Sequence, residues 1–167
     1  QALCIVNTRK RAQRLYEQLR GEGIYHLSTS MYPLHRRRVL NEIRSRIKEK
    51  DKKCIIISTS LVEAGVDLDF KSVYRELAGV DSIIQAAGRC NRNGNRDKKE
   101  SVVHMFQWED KEHIPGQQQQ IDTTKSLLAE GKDITTLEHI TEYFHRLYHI
   151  RGESLDKKDI LDKFKDR

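Results

Sequence analysis

Two stretches of the sequence bring together residue types suited to phosphate chemistry. The first is Gln85-Ala86-Ala87-Gly88-Arg89-Cys90-Asn91-Arg92, in which two arginines stand three apart at the end of an expected helix. That spacing lets both guanidiniums converge on one target. Their planar forks suit phosphate oxygens, and an arginine at a γ-phosphate offsets the charge of a phosphoryl-transfer transition state. Gln85 lies one turn earlier on the same side, where its amide can orient a water or bond the phosphate. Gly88 carries no side chain to crowd the approach. The bland alternative is a pair of arginines offsetting the negative end of a helix.

The second stretch runs from Ser58 and Thr59 through Gly65 to Asp67, directly after the apolar run Cys54-Ile55-Ile56-Ile57. A buried parallel strand delivers its C-terminal end to the sheet edge, where α/β proteins place ligands. Hydroxyls there can donate to phosphate oxygens, Gly65 admits a ligand close to the backbone, and Asp67 can accept from a ribose hydroxyl. A simple turn, with Gly65 for conformation and Asp67 as a cap, is the alternative.

The elements needed to position these residues are legible as alternating patterns. Short β-type runs are expected at Ala2–Asn7, Ile24–Ser28, Cys54–Ile57, Ser72–Leu77 and Ser101–Gln107. Between them, Ala12, Leu15, Tyr16 and Leu19 fall on one helical face, with Gly21 and Gly23 able to stop that helix through positive φ. Pro33 opens a helix with the stripe Val39, Leu40, Ile43 and Ile47, and Asp81 can cap a helix through Ile83, Ile84 and Ala87. Such alternation argues for an α/β fold with a mostly parallel sheet flanked by helices. After Trp108 the pattern changes. Pro115 to Gln120 read as a polar break. Thr135-x-x-Glu138 is a capping-box pattern before Leu137, Ile140, Phe144 and Leu147, and Asp156 could cap a last helix with Ile160, Leu161 and Phe164.

Composition narrows the function classes. The chain has 167 residues, 34% of them charged against roughly 25% for an average soluble chain, so one domain with a short appendage is expected. No uncharged apolar run approaches the roughly 18 residues of a membrane span, so no membrane role is expected. The start Gln1-Ala2-Leu3-Cys4 has no initiator Met and no basic region of a signal peptide, and reads as an excerpt from a longer chain. Net charge is +6, and Arg36 to Lys53 hold nine bases against three acids. That run fits long-range attraction of nucleic acid, and equally a solvated helix face. Cys4, Cys54 and Cys90 are odd in number and have no Cys-x-x-Cys pairing, which argues against zinc and a disulfide framework; Cys4 and Cys54 lie in apolar runs and are expected as buried thiols in a reducing compartment. His145 and His149 stand at i, i+4 without a carboxylate or cysteine in register, so no metal is expected on them.

These strings together carry a family resemblance. Gln85-x-x-Gly88-Arg89-x-x-Arg92 has the form of motif VI of superfamily 2 helicases. Thr59 through Asp67 resembles their motif V, and Cys4 through Thr8 resembles the motif IV strand of their second RecA-like domain. The longer strings Glu63-Ala64-Gly65-Val66-Asp67-Leu68-Asp69-Phe70, Asp81-Ser82-Ile83-Ile84-Gln85 and Gly88-Arg89-Cys90-Asn91-Arg92-Asn93-Gly94 resemble the CRISPR-associated helicase–nuclease of type I systems. Tyr143-Phe144 and Leu155 to Leu161 are similar to the helical linker after that family's second RecA-like domain.

The resemblance implies a second RecA-like domain over residues 1–110, with motifs IV to VI, and a helical linker or extension over 111–167. It implies ATP between two RecA-like domains, with Gly65 and Asp67 touching the nucleotide. Gln85, Arg89 and Arg92 would face the γ-phosphate, Arg92 as the arginine finger, and Asn7, Thr8 and Thr59 would hold phosphates of single-stranded DNA. In the family, ATP hydrolysis drives 3′-to-5′ movement on single-stranded DNA and unwinds target DNA for degradation in antiviral defence. The implied partners are the first RecA-like domain, the HD nuclease domain and the CRISPR RNA-guided surveillance complex, in a prokaryotic cytoplasm. The chain has no Gly-x4-Gly-Lys-Ser/Thr loop: Gly131-Lys132 is followed by Asp133, with Ser126 where the first Gly belongs. It also lacks an Asp-Glu-x-His string and a His-Asp dipeptide, so the ligands of Mg2+ are expected outside it and the chain alone is expected to be inactive. Two other readings remain: another superfamily 2 helicase acting on RNA or duplex DNA, and a non-catalytic nucleic-acid- or protein-binding module with a vestigial motif VI.

Overall fold

The β-branched run at Ile55–Ser58 becomes an interior strand of a five-stranded parallel sheet in a computed structural model. The structure describes residues 1–49, 52–60, 68–94, 96, 97, 99, 101–110 and 112–152. The strands are β1 (Ala2–Ile5), β2 (Ile24–Leu27), β3 (Ile55–Ser58), β4 (Ser72–Glu76) and β5 (Val102–Phe106), in the order β2-β3-β1-β4-β5. Every ladder is parallel, as connections through helices require. The chain winds from β1 to one side and then to the other. The carboxyl ends of the central strands therefore lie where the winding reverses, the place where open α/β sheets bind ligands.

Alternation along the strands sends side chains to two faces. On one face, Val6, Ile24 and Ile57 pack with Ala12, Leu15 and Tyr16 of α1 (Arg9–Leu19). On the other, Leu3, Ile5, Leu27, Ile56 and Val73 meet Ile43 of α2 (Pro33–Lys48) and Ala86 of α3 (Val80–Ala87). Helices on both faces of one parallel sheet are the α/β arrangement expected from the alternating pattern. The chain separates into two compact units, Gln1–Pro115 and Gly116–Arg167. Within the second unit, α4 (Gln118–Ala129) and α5 (Leu137–Arg151) form a helix pair. The Arg146 guanidinium of α5 clasps both Glu130 oxygens at 2.6 Å. That pairing and its Lys132 neighbour hold the Glu130 carboxyl well below the usual carboxylate range.

Several local expectations change. Gly23 does take φ +74°, yet it does not stop α1, which ends at Arg20 with φ −47°. Gly23 instead admits the chain into β2, where an added Cβ would stand 2.1 Å from the Lys53 carbonyl oxygen. Helix α3 begins one residue before Asp81 and has Gly79 in extended backbone at its N-cap, so Asp81 lies in the first turn, where its charge suits the helix N-terminus. In α5 the capping hydroxyl is that of Thr136, accepting from the His139 N–H at 3.4 Å, while the Thr135 hydroxyl is drawn to Asp133 Oδ1 at 2.7 Å. The glutamines from 118 to 120 form the first turn of α4 and not a break. The helix expected around Asp156, Ile160, Leu161 and Phe164 lies outside the described residues.

Candidate functional site

The expected site residues fall on two opposite edges of the sheet. Asn7 and Thr8 follow the carboxyl end of β1, and Thr59 follows that of β3, its neighbour in the sheet. Both strands end in register, Ile5 beside Ser58, so these residues share one edge. The Thr8 hydroxyl caps α1, accepting from the Arg11 N–H at 3.2 Å, while Thr59 is 6% exposed and its N–H points to the Leu27 carbonyl. Asn7 is tied into the sheet: its amide N–H2 donates to the Leu77 carbonyl at 2.8 Å and its Oδ1 accepts from Arg75 Nη1 at 2.7 Å.

A buried ionic group underlies that edge. Arg75, Glu76 and Arg11 are buried at the end of β4 and the start of α1. Glu76 pairs with Arg11 through Oε1 and accepts the Asn7 backbone N–H through Oε2 at 2.7 Å. Arg11 also pairs with Asp110 and lies 5.7 Å from the Trp108 ring centre. Charges out of water persist only when paired in this way. Burial, and after it the Glu76 carboxylate, push the nearby Cys4 thiol up to about 12, which keeps it an inert core group.

Gln85, Arg89 and Arg92 lie at the other edge. Helix α3 leaves the carboxyl end of β4 after a short loop and runs back, so its last turn reaches the start of the strands. There Cys90 pairs in parallel with Phe70, two residues before β4. The Phe70 N–H donates to the Arg89 carbonyl at 3.0 Å and the Asn91 N–H to the Phe70 carbonyl at 3.0 Å. Gln85 and Arg92 are exposed, whereas Arg89 is 7% exposed. Helix α3 ends at Ala87, so both arginines sit in the following turn rather than on the helix. Gly88 has φ −63°, and an added Cβ would meet no atom closer than 3.4 Å, so the backbone itself does not demand glycine.

Three residues that hold this turn were not singled out from the sequence. Asp69 accepts the Arg92 backbone N–H at 2.8 Å through Oδ1 and pairs with Arg96 at 3.0 Å through Oδ2. Arg96 Nη1 also donates to the Phe70 carbonyl at 3.1 Å. Asn91 takes φ +52°, and its side chain bonds the Arg96 backbone through both N–H and C=O. Asparagine tolerates that left-handed conformation better than most residues. The signal was present in Asn91-Arg92-Asn93-Gly94, whose turn-forming composition marks a tight loop. Gly65 and Asp67 lie outside the described residues. Because β3 ends at one edge and β4 starts at the other, the segment from Thr59 to Phe70 connects the two sets. Among the described residues there is no cluster of three or more His, Cys, Asp or Glu that could hold a metal, and no helix is long and apolar enough to cross a membrane.

The model of the family described as CRISPR-associated nuclease/helicase Cas3, C-terminal, matches residues 1–95. The chain is 42% identical over 99 residues to a CRISPR-associated nuclease/helicase Cas3 of Haloferax volcanii, covering 58% of this chain and 10% of that protein. It is 32% identical over 103 residues to a CRISPR-associated helicase Cas3 of Thermoproteus tenax, covering 61% of this chain and 18% of that one. The chain thus spans between a tenth and a fifth of these relatives. Among solved structures, T. fusca Cas3 with ATP superposes with a TM-score of 0.65 at 20% identity, over 99% of this chain and 21% of the other. A chain of the structure described as CRISPR RNA-guided surveillance complex, pre-nicking, superposes with a TM-score of 0.61 at 18% identity, over 99% of this chain and 23% of that one.

Proposed function

The chain belongs to the family of Cas3 C-terminal helicase domains, and we propose from that membership that it supplies one half of an ATP site and one side of a single-strand groove. In this reading Gln85, Arg89 and Arg92 face the γ-phosphate, with Arg92 as the finger, and Gly65 and Asp67 meet the nucleotide. Asn7, Thr8 and Thr59 line the path of single-stranded DNA. ATP and Mg2+ are completed by the first RecA-like domain of the parent chain, which couples hydrolysis to 3′-to-5′ movement in CRISPR defence. An HD nuclease and a CRISPR RNA-guided surveillance complex are its partners, in the cytoplasm of a prokaryote. In this reading residues 1–110 are the second RecA-like half and 111–167 the start of the helical linker, a division supported by the two compact units that divide at Pro115.

The observation that carries this reading is the anchoring of the arginine turn. Asp69 and Phe70 close the segment that begins at Thr59, and the same two residues hold Arg89, Asn91, Arg92 and Arg96 by five hydrogen bonds or ion pairs. A shift of Asp69 and Phe70 on binding a strand would be passed directly to the arginines. Misplacing a catalytic group by about 1 Å can cost on the order of 10²-fold in rate. Asp69→Ala in the parent enzyme is therefore expected to lower kcat for ATP by roughly that 10²-fold while single-strand affinity is kept. Wild-type kcat in that variant, measured by phosphate release with saturating single strand, would remove the anchoring from the mechanism.

A further inference from the structure

We propose that Tyr32 and Leu34 form a stacking platform for the bases of the single strand, beside the edge that holds its phosphates; this rests on the reading of that edge as the strand's path. Tyr32 is 65% exposed and Leu34 71%. They line a groove of about 630 Å³ together with His35, Arg37, Arg38 and Asn41. Large apolar side chains this exposed, gathered in one groove, mark a surface meant to be covered.

Charge and position decide what covers it. Arg36, Arg37 and Arg38 follow one another within the first two turns of α2, and the one acid among the described residues lining the groove, Glu42, is already paired with Arg38 at 3.3 Å. Such a surface favours a polyanion. Tyr32 lies in the connection that leaves the carboxyl end of β2, and β2, β3 and β1 are successive neighbours in the sheet. The connection therefore shares an edge with Thr59 and Thr8, and Arg9 Nη1 ties it to the start of α1 through the Ser30 hydroxyl at 3.0 Å. A strand whose phosphates lie on the hydroxyls of that edge turns its bases outward. An exposed ring beside guanidiniums is the surface on which bases stack without regard to sequence, since every base has a π face.

Fluorescence anisotropy of the 167-residue chain with two labelled oligonucleotides of equal length, one of thymidines and one abasic, tests the platform. Tyr32→Ala is expected to weaken binding of the thymidine strand about tenfold, within the range measured for one base–aromatic stack. It should leave the abasic strand unchanged, and Tyr32→Phe should bind both as the wild type does. Wild-type affinity of Tyr32→Ala for thymidines, or equal loss on both strands, would overturn the platform while the edge stood. If Thr59→Val bound the abasic strand as tightly as the wild type, the hydroxyl edge itself would fail, and the platform with it.

Discussion

Arg92→Ala in the full-length parent is expected to lower kcat for ATP by roughly 10³-fold or more, the effect of an arginine finger, and to leave single-strand affinity nearly unchanged. The side chain is exposed, and its backbone N–H is held by Asp69 at 2.8 Å, a bond that truncation to alanine keeps. A loss confined to kcat means that the interaction is made in the transition state. Arg89→Ala should fall as far with more loss of nucleotide binding, and also with some loss of packing, because Arg89 is buried. Retention of more than about a tenth of wild-type turnover by Arg92→Ala would leave it less than roughly 1.4 kcal/mol of transition-state stabilisation, too little for a finger.

The second large effect is on stability. Glu76→Ala is expected to cost about 3–5 kcal/mol, the cost of removing one partner from a buried ion pair. It strands Arg11 in the core and takes the acceptor from the Asn7 N–H. For a unit of this size the melting temperature should fall on the order of 10 °C or more. Glu76→Gln keeps an oxygen for Asn7 and should lose less. Denaturant titration of both variants checks this, and a loss below about 1 kcal/mol for Glu76→Ala would show that Asp110 and Glu112 satisfy Arg11 without Glu76.

The sequence displayed the frame clearly and the supports poorly. Strands such as Ile55–Ser58 and the stripe beneath α2 announce themselves through apolar runs and period, because burial dictates residue type at every position. The turn with Arg89 and Arg92 was legible as a motif, since Gly and Arg at fixed offsets are rare by chance. What escaped notice are contacts between residues far apart in sequence. Arg11 and Glu76 lie 65 residues apart, and in a linear pattern each reads as one more surface charge. Asp69 looked like a neighbour of Asp67, yet its partners Arg92 and Arg96 are more than 20 residues away. The helix starts moved as well: α5 is capped by Thr136 and not by Thr135, whose hydroxyl is taken by Asp133, and α3 starts at Val80 behind Gly79, ahead of Asp81.

The reading of this chain as half of an ATP site is tested most directly by phosphate release from ATP, run in parallel on the 167-residue chain and on the full-length parent, each with and without saturating single-stranded DNA. These 167 residues contain no Gly-x4-Gly-Lys-Ser/Thr string and no Asp-Glu-x-His string, which in this reading would cradle and neutralise the γ-phosphate from outside the chain. The expected result is strand-stimulated turnover by the parent and a rate for the chain alone no faster than buffer. Strand-stimulated turnover by the chain alone would contradict it.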